Sequence, residues 1–122
     1  MKALVVCDAE WVRTDVHAAL TDPGTTLVDA DDPATTPDRA TDENVDIVVA
    51  DFQVGSMGGM AITRALKESA YRRGATAVPV VLLLDRSADS FLAKRAGAAA
   101  WVRKPFTPFE LRAAVAKALD GS

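Results

Sequence analysis

At 122 residues, with 49% hydrophobic residues and a formal net charge of −3, the chain is long enough for one packed core. Its single cysteine excludes an internal disulfide and a cysteine-built zinc cluster. No apolar run approaches the roughly 18 residues of a membrane span. The N-terminus also lacks the basic, apolar, small-residue order of a secretory signal, so a cytoplasmic protein with no membrane partner is expected.

The charge is unevenly spread: residues 1–53 hold 12 acids and 3 bases, residues 54–122 hold 5 acids and 11 bases. An acidic first half suits a cation site, and a basic second half would steer an acidic partner. Solvated helix faces are the simpler reading of the basic half. Its bases are scattered and not interleaved with aromatics, so no direct nucleic-acid contact is expected.

Short apolar runs alternate with helical patterns along the chain. Lys2 to Cys7 reads as a strand. Glu10 to Leu20 follows as a helix, with Trp11, Val12, Val16, Ala19 and Leu20 at helical spacing, and Thr21-Asp22-Pro23-Gly24 stops it. Thr25 to Ala30 is a second strand. Pro33, Pro37 and repeated Asp and Thr leave residues 31–44 one or two helical turns, or a loop. Val45 to Ala50 is the third strand, and a loop with Gly55, Gly58 and Gly59 leads to a helix over Met60 to Tyr71 that ends near Gly74. Val78 to Leu84 is continuously apolar, as a central parallel strand should be. Ala88 to Ala96 is a helix closed by Gly97, and Ala99 to Val102 is a short fifth strand. A last helix over Pro108 to Leu119 has Thr107 as N-cap and Glu110 three residues on, the capping-box pattern. This order suits an α/β, flavodoxin-like doubly wound five-stranded parallel sheet with strand order 2-1-3-4-5.

In such a sheet, ligands bind beyond the carboxyl ends of the strands, near the switch in strand order. Asp51 closes the apolar run Val45 to Asp51, where an unpaired buried carboxylate would be costly. Asp8 closes the first strand, and Lys104 follows the fifth. Two acids and a lysine at three strand ends suit a divalent cation and a phosphoryl group. Gly-Ser-Met-Gly-Gly at 55–59 does not fit the dinucleotide fingerprint and follows the wrong strand. A flavin phosphate after the first strand would meet Asp8 and Glu10. A small flavodoxin-like enzyme is therefore not expected.

Val48-Val49-Ala50-Asp51, the loop Gly55-Ser56-Met57-Gly58-Gly59, Val80 to Leu84, Ala96-Gly97 and Lys104-Pro105-Phe106 together resemble the receiver domain of bacterial response regulators. The likeness spans essentially the whole chain, 1–122, read as one receiver domain with no output domain, and extends to divergent small actinobacterial receivers. It implies that Asp51 is the phosphoacceptor for a histidine kinase or phosphotransfer protein, not an enzyme's catalytic centre. It implies that Mg²⁺ is held by Asp8, Asp51 and the backbone carbonyl of Gln53, and that Lys104 binds the phosphoryl oxygens. Trp101 falls where the family has its switch aromatic. Signalling would run through contacts with an unknown downstream protein. The face of the fourth helix, fifth strand and fifth helix, with Phe91, Leu92 and Trp101, is also a homodimer surface in receivers.

The chain departs from the family in three places. Cys7 stands where one of two adjacent acids is usual, which weakens a cation site. Neighbouring carboxylates would raise its thiol pKa, so a small buried residue is the expected role. Leu84 replaces the switch Thr or Ser and is followed by Asp85, which would repel a phosphoryl group, Arg86, which would attract one, and Ser87, the only nearby hydroxyl. Gly55 replaces a common proline, which implies a more mobile loop. These departures support a second reading, a pseudo-receiver that binds partners without phosphorylation. His17 is expected at the surface or in packing, and Trp11 partly buried against the sheet near the site mouth.

Overall fold

The computed structural model describes residues 1–30, 32–54 and 57–120. Five parallel strands form the sheet: β1 (Lys2–Val6), β2 (Thr26–Ala30), β3 (Ile47–Asp51), β4 (Val80–Leu84) and β5 (Ala100–Arg103). Their order is β2-β1-β3-β4-β5, the doubly wound order expected from the sequence. The helices are α1 (Glu10–Leu20), α2 (Thr36–Asp42), α3 (Gly59–Arg72), α4 (Ser90–Ala96) and α5 (Pro108–Asp120). None is long and apolar enough to cross a membrane.

The core lies on both sides of the sheet and follows the strand period of two. Ala3, Val5, Ile47, Val49, Val81, Leu83 and Ala100 pack on one side with Val12 and Val16 of α1 and Leu111 and Val115 of α5. Leu4, Val6, Val48, Ala50, Val80, Leu82 and Leu84 pack on the other with Ala40 of α2, Ile62 and Leu66 of α3 and Ala93 of α4. Every residue of β3 and β4 is buried, which is why those runs carry no polar alternation. Each fully buried Val, Ile or Leu is worth about 1.5–3 kcal/mol, so these two strands anchor the fold.

Several boundaries move by one or two residues. β4 starts at Val80 rather than Val78, and β5 runs over Ala100–Arg103. The helix expected from Ala88 opens as a 3₁₀ turn over Ser87–Asp89 before α4. Pro33–Thr35 is another 3₁₀ turn, and α2 is only seven residues long, as its prolines and short polar residues require. Gly97 takes φ +87° at the end of α4, a left-handed position that glycine occupies without steric cost. Thr107 and Glu110 form the capping box: the Thr107 N–H donates to Glu110 Oε1 at 2.9 Å, and the Glu110 N–H to Thr107 Oγ1 at 3.1 Å. After β3 a short antiparallel ladder joins Gln53–Val54 to Met57–Gly58, a pairing not anticipated from the glycine content. Gly55, on which the mobility expectation falls, lies outside the described residues. Gly59 begins α3 against the end of β3; a Cβ there would sit 2.7 Å from the Asp51 carbonyl oxygen and 2.7 Å from Leu82 Cδ2, so only glycine allows this approach.

Candidate functional site

The side of the sheet facing α1 and α5 leads to the site. Beyond the apolar residues of that side, the same alternation reaches Cys7 after β1, Asp51 at the end of β3, Asp85 after β4 and Lys104 after β5. Leu83 pairs with Asp51 in the β3–β4 register, and Leu84 with Arg103 in the β4–β5 register. The Lys104 N–H donates to the Leu84 carbonyl at 2.7 Å. This continues the ladder one residue past the strand and fixes Lys104 beside Asp85. The Lys104–Pro105 peptide is cis.

Lys104 Nζ donates to Asp51 Oδ1 at 2.6 Å and lies 3.0 Å from Asp85 Oδ1. The Asp51 and Lys104 side chains are only 5% and 8% exposed, whereas that of Asp85 is 54% exposed. Burial disfavours the Lys104 charge, but hydrogen bonds to Asp51 and Asp85 outweigh it and raise the ammonium above the ordinary lysine value. The Trp11 ring also lies near the ammonium, 5.8 Å away at its centroid. Trp11 lies at the site mouth, as expected, but at 55% exposed it is less buried against the sheet than expected. At the start of α1 it lies at the margin of the apolar stripe that buries Val12 and Val16, so the helix turns it toward the strand ends.

Asp8 follows β1 and is exposed at the same end of the sheet, and Gln53 is exposed two residues after Asp51. Cys7 is fully buried, and burial followed by the Asp51 charge pushes its thiol up to about 12. It is therefore a protonated packing group at neutral pH. Its carbonyl accepts a hydrogen bond from Arg13 Nη2 at 2.6 Å. Among the described residues, no group of three or more His, Cys, Asp or Glu is placed to hold a metal ion. The oxygen donors at these strand ends are hard and few, a set that suits a cation retaining much of its water, as Mg²⁺ does.

The sequence-derived switch positions lie on the other side of the sheet. Leu84 is 1% exposed within the core beneath α3 and α4. Trp101 packs partly against the same core, with Lys117 Nζ 6.0 Å from its ring. Ser87 does not reach Asp51; its hydroxyl lies 3.5 Å from Arg103 Nη1. Arg86 is committed to Asp89, with Nη2 2.9 Å from Asp89 Oδ1. Neither Arg86 nor Ser87 is engaged with the Asp51 carboxylate. Phe91 and Leu92 are exposed on α4, with the Arg95 guanidinium 5.6 Å from the Phe91 ring. His17 lies away from the site, 2.7 Å from Asp29 Oδ1.

Comparison with known proteins places the chain by family and fold. The uncharacterized transcriptional regulatory protein YclJ of Bacillus subtilis (strain 168) is 33% identical over 79 residues, covering 63% of this chain and 32% of that protein. The alignment therefore spans about a third of the relative's length. The chemotaxis response regulator CheY4 of Vibrio cholerae superposes with a TM-score of 0.81 at 24% identity, over 97% of this chain and 98% of that one. The receiver domain of sensor histidine kinase PA1611 from Pseudomonas aeruginosa PAO1, solved with a magnesium ion coordinated in its active-site cleft, gives 0.81 at 23% identity, over 99% and 98%. At these identities the two structures support the fold. Residues 3–116 match the family model of the response regulator receiver domain, and the chain belongs to that family.

Proposed function

We propose that this chain receives a phosphoryl group on Asp51 from the phosphohistidine of a sensor kinase or phosphotransfer protein and signals through protein contacts. The observation that carries this reading is the buried Asp51 carboxylate held 2.6 Å from the Lys104 ammonium at the end of a central strand. In the transfer, an Asp51 carboxylate oxygen forms the new P–O bond as the P–N bond to the donor imidazole breaks. The electron pair leaves with the imidazole. Lys104 counters the charge on the phosphoryl oxygens, and β3 and β5 hold acceptor and cation in fixed relation, which is most of what phosphoryl transfer requires of a protein. The carboxylates of Asp8 and Asp51 and the carbonyl of Gln53 would hold Mg²⁺, which supplies further charge neutralisation when bound. The PA1611 receiver, with magnesium in its cleft, supports this assignment by kinship.

The test is intact-protein mass spectrometry after incubation with Mg²⁺ and a small-molecule phosphodonor. One phosphoryl adduct on the wild type, none on Asp51→Asn, and less on Asp8→Ala is the expected result. No adduct, either with that donor or with a phosphorylated phosphotransfer protein, would overturn it. Two observations favour the second reading, a binding module independent of phosphorylation. Leu84 fills the core position at which the resemblance places a hydroxyl, and Ser87 is turned to Arg103.

A further inference from the structure

We propose that Asp85 is a positioning residue of this site: by sharing Lys104 with Asp51 it favours the unphosphorylated state and lowers the equilibrium occupancy of the phosphorylated one. This inference rests on the reading of Asp51 as phosphoacceptor. An ammonium has three donors and no acceptor. Here one donates to Asp51 at 2.6 Å, the Asp85 carboxylate forms a second ion pair at 3.0 Å, and the Trp11 ring centroid is 5.8 Å away. The Lys104 side chain is 8% exposed, so it has little room to answer a new anion by swinging into solvent. The backbone bond from Lys104 to the Leu84 carbonyl, at 2.7 Å, keeps its stem beside Asp85.

Asp85 is not a packing residue. Its side chain is 54% exposed, and the turn that follows it is secured by the Arg86–Asp89 pair. Its place is set by the lysine. Phosphorylation of Asp51 replaces one carboxylate charge with a group of roughly two negative charges and three strong acceptor oxygens, all drawn to the same ammonium. Asp85 then either releases Lys104 or remains within two hydrogen-bond lengths of the phosphoryl group with too little positive charge between them. Both outcomes cost the phosphorylated state something that the resting state does not lose. A group that interacts differently with two states shifts the equilibrium between them. The carboxylate is half in solvent, which screens the effect.

The experiment measures the dissociation constant of beryllofluoride, a non-covalent phosphoryl mimic, at saturating Mg²⁺ for the wild type, Asp85→Asn and Asp85→Glu. Phosphorylation by a small-molecule donor is followed by mass in parallel. The expected result is about three- to tenfold tighter binding by Asp85→Asn. Asp85→Glu, which keeps the charge, should stay near the wild-type value. Equal or weaker binding by Asp85→Asn, with an adduct still forming on the wild type, overturns the role of Asp85 and leaves the acceptor reading intact. Absence of both adduct and beryllofluoride binding in all three proteins overturns the acceptor reading and this inference with it.

Discussion

The Lys104 ammonium lies 5.8 Å from the centre of the Trp11 ring, so one of the chain's two tryptophans directly faces the lysine of the site. A cation over an exposed indole is worth about 0.5–1 kcal/mol, enough to bias the ring without locking it. Any anion that draws Lys104 toward Asp51 changes the field on this indole. Trp101 packs on the opposite side of the sheet. Emission should therefore change on adding Mg²⁺ and beryllofluoride, and the change should survive Trp101→Phe and be mostly lost in Trp11→Phe. Loss in Trp101→Phe instead would show that the response crosses the sheet.

Leu84 and Trp101 lie on the same side of the sheet, on neighbouring strands. Among the described residues, no hydroxyl is hydrogen-bonded between Trp101 and Asp51 at this strand end. Leu84→Thr would supply one at the price of a buried apolar side chain, costing about 2–3 kcal/mol of stability in urea unfolding. In a Trp11→Phe background it should give Trp101 an emission response to beryllofluoride that the background alone lacks. An unaltered Trp101 signal, with the protein folded, would show that the hydroxyl is not the missing link.

The sheet order and the site's charged strand ends were legible because burial on both faces forces continuous apolar runs. Val80 to Leu84 could be little else, and Asp51 stood out because it ends such a run. Gly97 and the Thr107–Glu110 box were legible because local backbone chemistry alone selects those residues. The Asp85–Lys104 contact depends on the β4–β5 register, which pairs Leu84 with Arg103, and no local pattern encodes a register between paired residues 19 apart in sequence. The Gln53–Val54 ladder with Met57–Gly58 depends in the same way on how the loop closes. Trp11 stands at the site mouth as expected but is more exposed than expected, because helical spacing puts it next to the buried stripe without saying on which side of its edge the ring falls.

Removing either partner of the Asp51–Lys104 pair should not cost the same. Lys104→Ala leaves Asp51, 4% exposed, without its cation, and uncovering a buried charge costs about 3 kcal/mol or more. Asp51→Asn leaves Lys104 with Asp85 at 3.0 Å and a neutral amide that still accepts a hydrogen bond, so about 1 kcal/mol is expected. Urea denaturation at neutral pH compares the two directly. A loss in Asp51→Asn equal to that in Lys104→Ala would mean that Asp85 does not hold the lysine.

Cys7 gives the site a pH signature on the alkaline side. Burial first, and the Asp51 charge second, push its thiol up to about 12, while the unfolded chain titrates at the ordinary thiol value. A group whose folded pKa is raised contributes stability that is fully present below its unfolded value and is lost as pH rises toward the folded one. Lys104, also raised, has the same sign, so the thiol must be isolated by difference. Wild type should lose more stability than Cys7→Ala between the ordinary thiol range and about pH 12. The folded protein should also resist a disulfide-exchange reagent at pH 8 and react fully once unfolded in urea. Rapid reaction of the folded protein would mean that the thiol is neither buried nor held protonated.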